Sequence, residues 1–237
     1  MSTHVIPHRT DPFVQALQRV QASEHNGGNI HFGAPRETPH NGIDLGVSVN
    51  TPLQVPADKV ILIGTTREDS TAGQSMGNAI ILFVPDPVTP YFLALIHLSP
   101  KTFDHLHHAN ISIGTELTSE SGLNNIIAYT GSSAIRNSAP HLHVTVATDF
   151  TFGGRNYTAS EFMKMHTNRE LSAFLQKKNF YAFVPSAHIR DPSSLVGYLD
   201  PTELIKNGSL RFSTEPRPRL LSKDDHVPSQ LIRQRTD

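Results

Sequence analysis

Two histidines one residue apart, His141 and His143, carry the most chemical potential in this chain. They lie in Ala139-Pro140-His141-Leu142-His143-Val144-Thr145-Val146. The β-branched residues that follow predict a strand opened by the histidines. Side chains at i and i+2 of a strand share a face, so the two imidazoles project together and Leu142 turns to the opposite, apolar side. Imidazoles so placed could begin a metal site or an acid/base pair. Two solvent-facing histidines on a strand would read the same way.

A second fragment is Pro39-His40-Asn41-Gly42-Ile43-Asp44-Leu45-Gly46. The His40-x-x-x-Asp44 spacing would share one face of a helix. Pro39, Gly42 and Gly46 oppose a helix, however, and Ile43, Leu45, Val47 and Val49 alternate as in a strand. His40 is therefore expected at the end of a loop and Asp44 on the strand after it. Both side chains are good zinc ligands, although a loop histidine and a strand-edge aspartate with no joint role would fit equally. The third fragment, Tyr91-Phe92-Leu93-Ala94-Leu95-Ile96-His97-Leu98-Ser99-Pro100, predicts a buried strand ending in one histidine. Alone, such a histidine is more often a hydrogen-bonded core residue than a catalyst.

Taken together, in this order and spacing, the three fragments resemble the lysostaphin/LytM-type zinc metallopeptidases, which cut peptidoglycan peptides. That family shows His-x-x-x-Asp, then an apolar strand ending in His-Leu-Ser, then His-x-His after a glycine-containing turn. The flanks are similar too. Phe32-Gly33-Ala34-Pro35-Arg36 looks like the family's leading strand. Thr51-Pro52-Leu53-Gln54-Val55-Pro56-Ala57-Asp58-Lys59-Val60 looks like its run after the ligand aspartate, and Gly77-Asn78-Ala79-Ile80-Ile81-Leu82 like its central hairpin strand. Ile127-Ala128-Tyr129-Thr130-Gly131 precedes the His-x-His pair as the family would have it. The resemblance spans residues 30–148.

The resemblance implies a mainly β fold, an antiparallel β-sheet groove of the lysostaphin/LytM peptidase type, to which the chain's own pattern adds an N-terminal helix and a helical insertion near the C-terminus. It implies one Zn2+ per chain held by His40, Asp44 and His143, with His97 and His141 flanking an open position as the catalytic pair. Three protein ligands plus water is the pattern of a catalytic zinc site, where the water's pKa falls to roughly 7. Either histidine could take the water proton and pass it to the leaving amine. The implied activity is hydrolysis of peptide bonds in peptidoglycan stem peptides or cross-bridges. The alternative is a non-catalytic module that keeps the fold and regulates a cell-wall hydrolase. All five residues are present, which favours the enzyme.

Composition is consistent with this. The chain has 237 residues, a formal net charge of −1 and no cysteine. Zinc must then be held by His and carboxylate, and nothing suggests a basic nucleic-acid face. No segment is long and apolar enough to span a membrane. The family implies a periplasmic or secreted protein, yet residues 1–22, with Pro7, Arg9 and Asp11, lack the apolar core of a secretion signal. A mature form, another export route, or a target other than the producer's own wall would each reconcile the two.

The elements that must position these residues read as follows. Residues 1–29 hold a helix over 11–22, with Asp11 as its cap and Pro12 in first position, and then a linker. Residues 30–148 form the β core. Residues 149–195 are an insertion packed beside it, with amphipathic helix over 160–178, and could close one end of the groove. Residues 196–208 are the closing segment of the core, and 209–237 are expected to be a disordered tail. A regulatory protein could dock on the insertion or the tail. Of the other histidines, His105, His107 and His108 lie outside the motifs and are expected to bind metal only adventitiously. His31 could support the site from behind. His4, His8, His25, His166, His188 and His226 are read as solvated or packing residues.

Overall fold

Runs such as Ala79-Ile80-Ile81-Leu82-Phe83-Val84 carry no charged residue to turn toward water, so strands built from them must be covered on both faces. The computed structural model describes residues 11–36, 39–69, 76–119, 125–134, 139–178 and 194–214. Its strands are β1 (Ile43–Leu45), β2 (Pro52–Gln54), β3 (Lys59–Thr66), β4 (Ala79–Val84), β5 (Tyr91–Ile96), β6 (Glu116–Thr118), β7 (Ile126–Tyr129), β8 (Leu142–Ala147), β9 (Asp149–Phe152), β10 (Arg155–Thr158) and β11 (Tyr198–Leu199). Its helices are α1 (Pro12–His25), α2 (Lys101–His108), α3 (Ala159–Thr167), α4 (Leu171–Gln176) and α5 (Pro201–Lys206). The fold is thus mostly antiparallel β-sheet with a few helices.

Among the described residues, seven strands form the main sheet in the order β1-β8-β5-β4-β3-β6, with β11 pairing with β8 beside this path. Every pairing is antiparallel. Alternation then divides the strand residues between two hydrophobic layers. Leu82, Leu93, Leu95, Val144 and Val146 face the first layer, where Phe13, Ala16 and Val20 of α1 are also buried. Their spacing is the i, i+3, i+7 stripe of an amphipathic helix.

Ile81, Phe83, Phe92, Ala94 and Ile96 face the second layer. The described part of the insertion covers it, as a β9–β10 hairpin followed by α3 and α4, so it is not helical throughout. The hairpin turns at Gly153-Gly154, both with positive φ, a conformation glycine adopts without steric cost. A capping box between Thr158 and Glu161 starts α3. The Phe92 ring meets Phe150 at 4.7 Å and Phe162 at 5.0 Å, both edge-on, the arrangement that aromatic quadrupoles favour. Residues 179–193 of the insertion lie outside the described residues.

Two further expectations fail. Phe32–Arg36 is not a strand but a turn, in which the Gly33 N–H donates to the His40 carbonyl at 2.8 Å. The tail does not begin at 209. Leu210 and Phe212 are buried in the first layer, and the Arg211 N–H donates to the Pro56 carbonyl at 2.7 Å. Apolar residues at i and i+2 give this segment a buried side, which its overall polar composition hides. Residues 215–237 lie outside the described residues. No helix among those described is long and apolar enough to cross a membrane.

Asp11 joins the two ends of this structure. One carboxylate oxygen accepts the Phe13 N–H at 2.8 Å and caps α1, with Pro12 at the first helical position. The other accepts from Ser213 Oγ and the Thr214 N–H, both at 2.8 Å. Burial alone would raise the Asp11 pKa, but these hydrogen bonds outweigh it and lower it. Asp11→Ala is expected to cost about 0.5–2 kcal/mol, the range for a lost N-cap. Because the folded-state pKa is depressed, that contribution is present above the unfolded carboxylate pKa of about 3.9 and fades as pH falls through the lower folded value. Melting curves of the two proteins at pH 6 should differ by the full amount and should converge under strongly acidic conditions.

Candidate metal centre

The register of three strands builds this site. β1 and β8 pair Asp44 with His143, and β8 and β5 pair His143 with Ile96. Directly opposed residues on neighbouring strands put their side chains on the same face. Ile43, Leu45, Leu142 and Val144 enter the first layer. Asp44 and His143 therefore stand on the other face, the one the insertion covers farther along β8. Gly42 lets β1 approach this closely, because a Cβ there would sit 2.2 Å from the Val144 carbonyl oxygen.

His40 comes from the loop before β1 and is buried. Its Nδ1–H donates to the His31 carbonyl at 2.8 Å, which aims Nε2 at the other two residues. His40 Nε2 lies 3.2 Å from Asp44 Oδ1 and 3.2 Å from His143 Nδ1, and His143 Nδ1 lies 2.8 Å from the same oxygen. His141, just ahead of β8, donates Nδ1–H to the Ala139 carbonyl at 2.9 Å and points Nε2 at Asp44 Oδ1 from 3.6 Å. Arg36 holds the other oxygen, Oδ2, at 2.9 Å and also donates to the Asn29 carbonyl.

His97 reaches the site by breaking the strand pattern. Along β5, Tyr91, Leu93 and Leu95 face the first layer while Phe92, Ala94 and Ile96 face the second. Simple alternation would send His97 into the first layer, away from the site. Instead its φ is 63°, left-handed for a residue with a Cβ, at a cost of roughly 1–2 kcal/mol. The ring is thereby turned to lie 4.9 Å from that of His141 and 6.1 Å from that of His143. Its Nδ1–H donates to the Ser133 carbonyl at 2.9 Å.

The donor set fits a metal cation. As neutral imidazoles, His40 and His141 have already given their one ring proton to a backbone carbonyl, so each offers a lone pair. Facing them are a carboxylate oxygen and His143 Nδ1. At most one proton, on His143, serves this whole group of acceptors. His143 Nε2 lies 2.8 Å from the Thr145 hydroxyl, which can accept or donate and so permits either tautomer. A doubly protonated His143 is disfavoured, since burial lowers its pKa more than Asp44 raises it. Burial would raise the Asp44 pKa, but the His143 and His40 contacts hold it well below the usual carboxylate range. A divalent cation satisfies these converging lone pairs where one proton cannot. Among the described residues, His40, Asp44 and His143 are the group of three His, Cys or acidic residues close enough to share an ion.

His105 and His108 turn a ring nitrogen to the backbone carbonyls of Ile126 and Asp104, at 2.7 and 2.6 Å, rather than to one another. His31 contributes its carbonyl to orient His40. His4, His8, His188 and His226 lie outside the described residues. Sequence reasoning did not single out Thr145 or assign Arg36 a partner. Thr145 had a signal, because it follows His143 by two on the same strand. Arg36 had none, because its reach to Asp44 depends on the turn.

The groove above these residues encloses about 620 Å3. No family model matches the sequence, and no curated protein sequence matches it. Among solved structures the chain is similar to LytU, with a TM-score of 0.38 and 19% identity over 57% of this chain and 82% of that one. It is similar to lysostaphin in solution, with a TM-score of 0.34 and 20% identity over 59% of this chain and 44% of that one. It is also similar to the antimicrobial peptidase lysostaphin from Staphylococcus simulans, with a TM-score of 0.33 and 21% identity over 57% of this chain and 50% of that one.

Proposed function

We propose that this protein is a zinc-dependent endopeptidase that hydrolyses peptide bonds in peptidoglycan stem peptides or cross-bridges. The observation that carries the reading is the surplus of lone pairs converging on Asp44 Oδ1, with two more imidazoles alongside. The peptidoglycan substrate is supported by the ordered motifs of residues 30–148. His40, Asp44 and His143 would hold the ion, which when bound supplies a Lewis acid for a peptide carbonyl and an acidified water.

The chain's own groups do the rest. Carbonyl hydrogen bonds fix His97 and His141 so that each presents Nε2 as a base. Burial, with His143 and His141 nearby, pushes the His97 pKa down to about 4, so at neutral pH it is an uncharged imidazole ready to accept a proton. One of the pair takes the proton of the attacking water and returns it to the leaving amine. The other can hold the oxyanion of the tetrahedral intermediate only as an imidazolium, through its Nε2–H. Arg36 and the His31 carbonyl keep Asp44 and His40 aimed. A purely binding module would have no need of this arrangement.

Digestion of purified peptidoglycan, followed by mass spectrometry of the products, tests the proposal. Cleaved peptides with new amino termini should form, should disappear with chelator, and should return when zinc is restored. An unaltered wall after treatment with zinc-loaded protein would overturn the reading.

A further inference from the structure

The groove has a sign that the whole chain lacks. The protein carries a formal net charge of −1, yet the groove is lined by one carboxylate, Asp44, and two guanidinium groups, Arg19 and Arg36. Arg36 is committed to Asp44 Oδ2 and the Asn29 carbonyl. Arg19 is not committed in this way. It projects from α1, is exposed, and donates Nη2 to the Gly46 carbonyl at 2.5 Å, a neutral acceptor. Among the described residues, no carboxylate lies within ion-pair distance of it. A guanidinium has five N–H donors in a fixed fork, so one bond to Gly46 anchors the group and leaves the rest for a ligand. Gly46 follows Asp44 by two residues, which places this fork on the groove wall beside the metal centre.

We propose that Arg19 is a carboxylate-binding subsite at the α1 side of the groove, which takes an acidic group of the bound peptide. The peptidase reading underlies the choice of a peptide as the carrier of that carboxylate. The recognition itself rests on the uncompensated guanidinium, its anchor and the local excess of positive charge.

The test is equilibrium binding of four alanine-based hexapeptides, with either glutamate or glutamine at one internal position and either a free or an amidated carboxyl terminus. The zinc-loaded full-length His141→Ala protein holds them without turnover, and chelator-treated wild type serves as a second non-cleaving background. The acidic forms should bind about tenfold more tightly than the neutral ones, the contribution of one charge-assisted hydrogen bond. The preference should shrink as NaCl is raised. Arg19→Gln should abolish it without weakening the fully neutral peptide, and Arg19→Lys should restore part of it. The glutamate and terminus arms identify which carboxylate is read. Equal binding of all four peptides, failure of the acidic ones to bind, or an acid preference that survives Arg19→Gln would overturn the proposal. The comparison needs no cleavage, so a wild type that leaves peptidoglycan unaltered would defeat the peptidase reading and leave this result to stand or fall by itself.

Discussion

His143→Ala is expected to abolish metal binding and, with it, activity. His143 Nδ1 is one corner of a triangle whose other corners, His40 Nε2 and Asp44 Oδ1, lie within 3.2 Å. Two donors remain after the substitution, and neither can move to fill the gap. His40 is tied to the His31 carbonyl and Asp44 to Arg36. The loss of rate should be at least the ~10²–10⁴-fold typical of a missing acid/base group, because the centre that group serves is gone. Stability gives a second readout. A ligand that binds only the folded state stabilises it by about 2.7 kcal/mol at one hundred times its dissociation constant, so added zinc should raise the Tm of the wild type. The Tm of the variant should not move. A His143→Ala protein with undiminished zinc and the same zinc-dependent shift would refute the ligand assignment.

His141→Ala and His97→Ala should separate catalysis from metal holding. Neither removes a member of the His40–Asp44–His143 triangle, so both proteins should retain zinc while turnover falls ~10²–10⁴-fold. For His97 a rival explanation is structural, since its ring bonds to the Ser133 carbonyl and its backbone is left-handed. Glycine resolves this, because it adopts φ near +63° without steric cost. His97→Gly should melt no lower than His97→Ala, keep its metal and be as inactive. Zinc content, Tm and peptidoglycan cleavage on all three variants decide the matter. A folded, metal-loaded variant that cleaves at the wild-type rate would end the catalytic assignment of that histidine.

The parts of this structure that were legible in the sequence are those set by local pattern. Asp11-Pro12 announced the start of α1, and alternation around Ile43 and Leu45 put Asp44 on a strand facing away from the core. The His-x-His spacing was enough to turn His141 and His143 the same way, while only the resemblance implied that Asp44 would meet them. Alternation says which residues share a face, however, and not what covers that face, so the sheet side on which the insertion lies was invisible. It also misleads where the chain breaks its own rule. His97 belongs to the core face by count and reaches the site through one unusual dihedral, for which no residue type nearby gives warning. The ordered segment 209–214 was lost because its partners, Asp11 and Pro56, are distant in sequence and its polar residues outnumber Leu210 and Phe212.

The clasp at Asp11 also bears on the order in which the molecule is made. Its carboxylate and the Ser213 hydroxyl are 202 positions apart. During synthesis α1 leaves the ribosome before the other described elements, and nearly the whole described chain must follow before its cap can find Ser213 and Thr214. The Phe13 ring likewise waits for Phe212, which it meets at 6.2 Å. Contacts of such separation form late, after the loop between them has been closed. Arg19 is carried by that same helix, so the clasp adds to the bond with Gly46 in fixing the basic wall of the groove. A nascent chain released short of residue 214 could pair β1 with β8 and still lack the settled wall beside them.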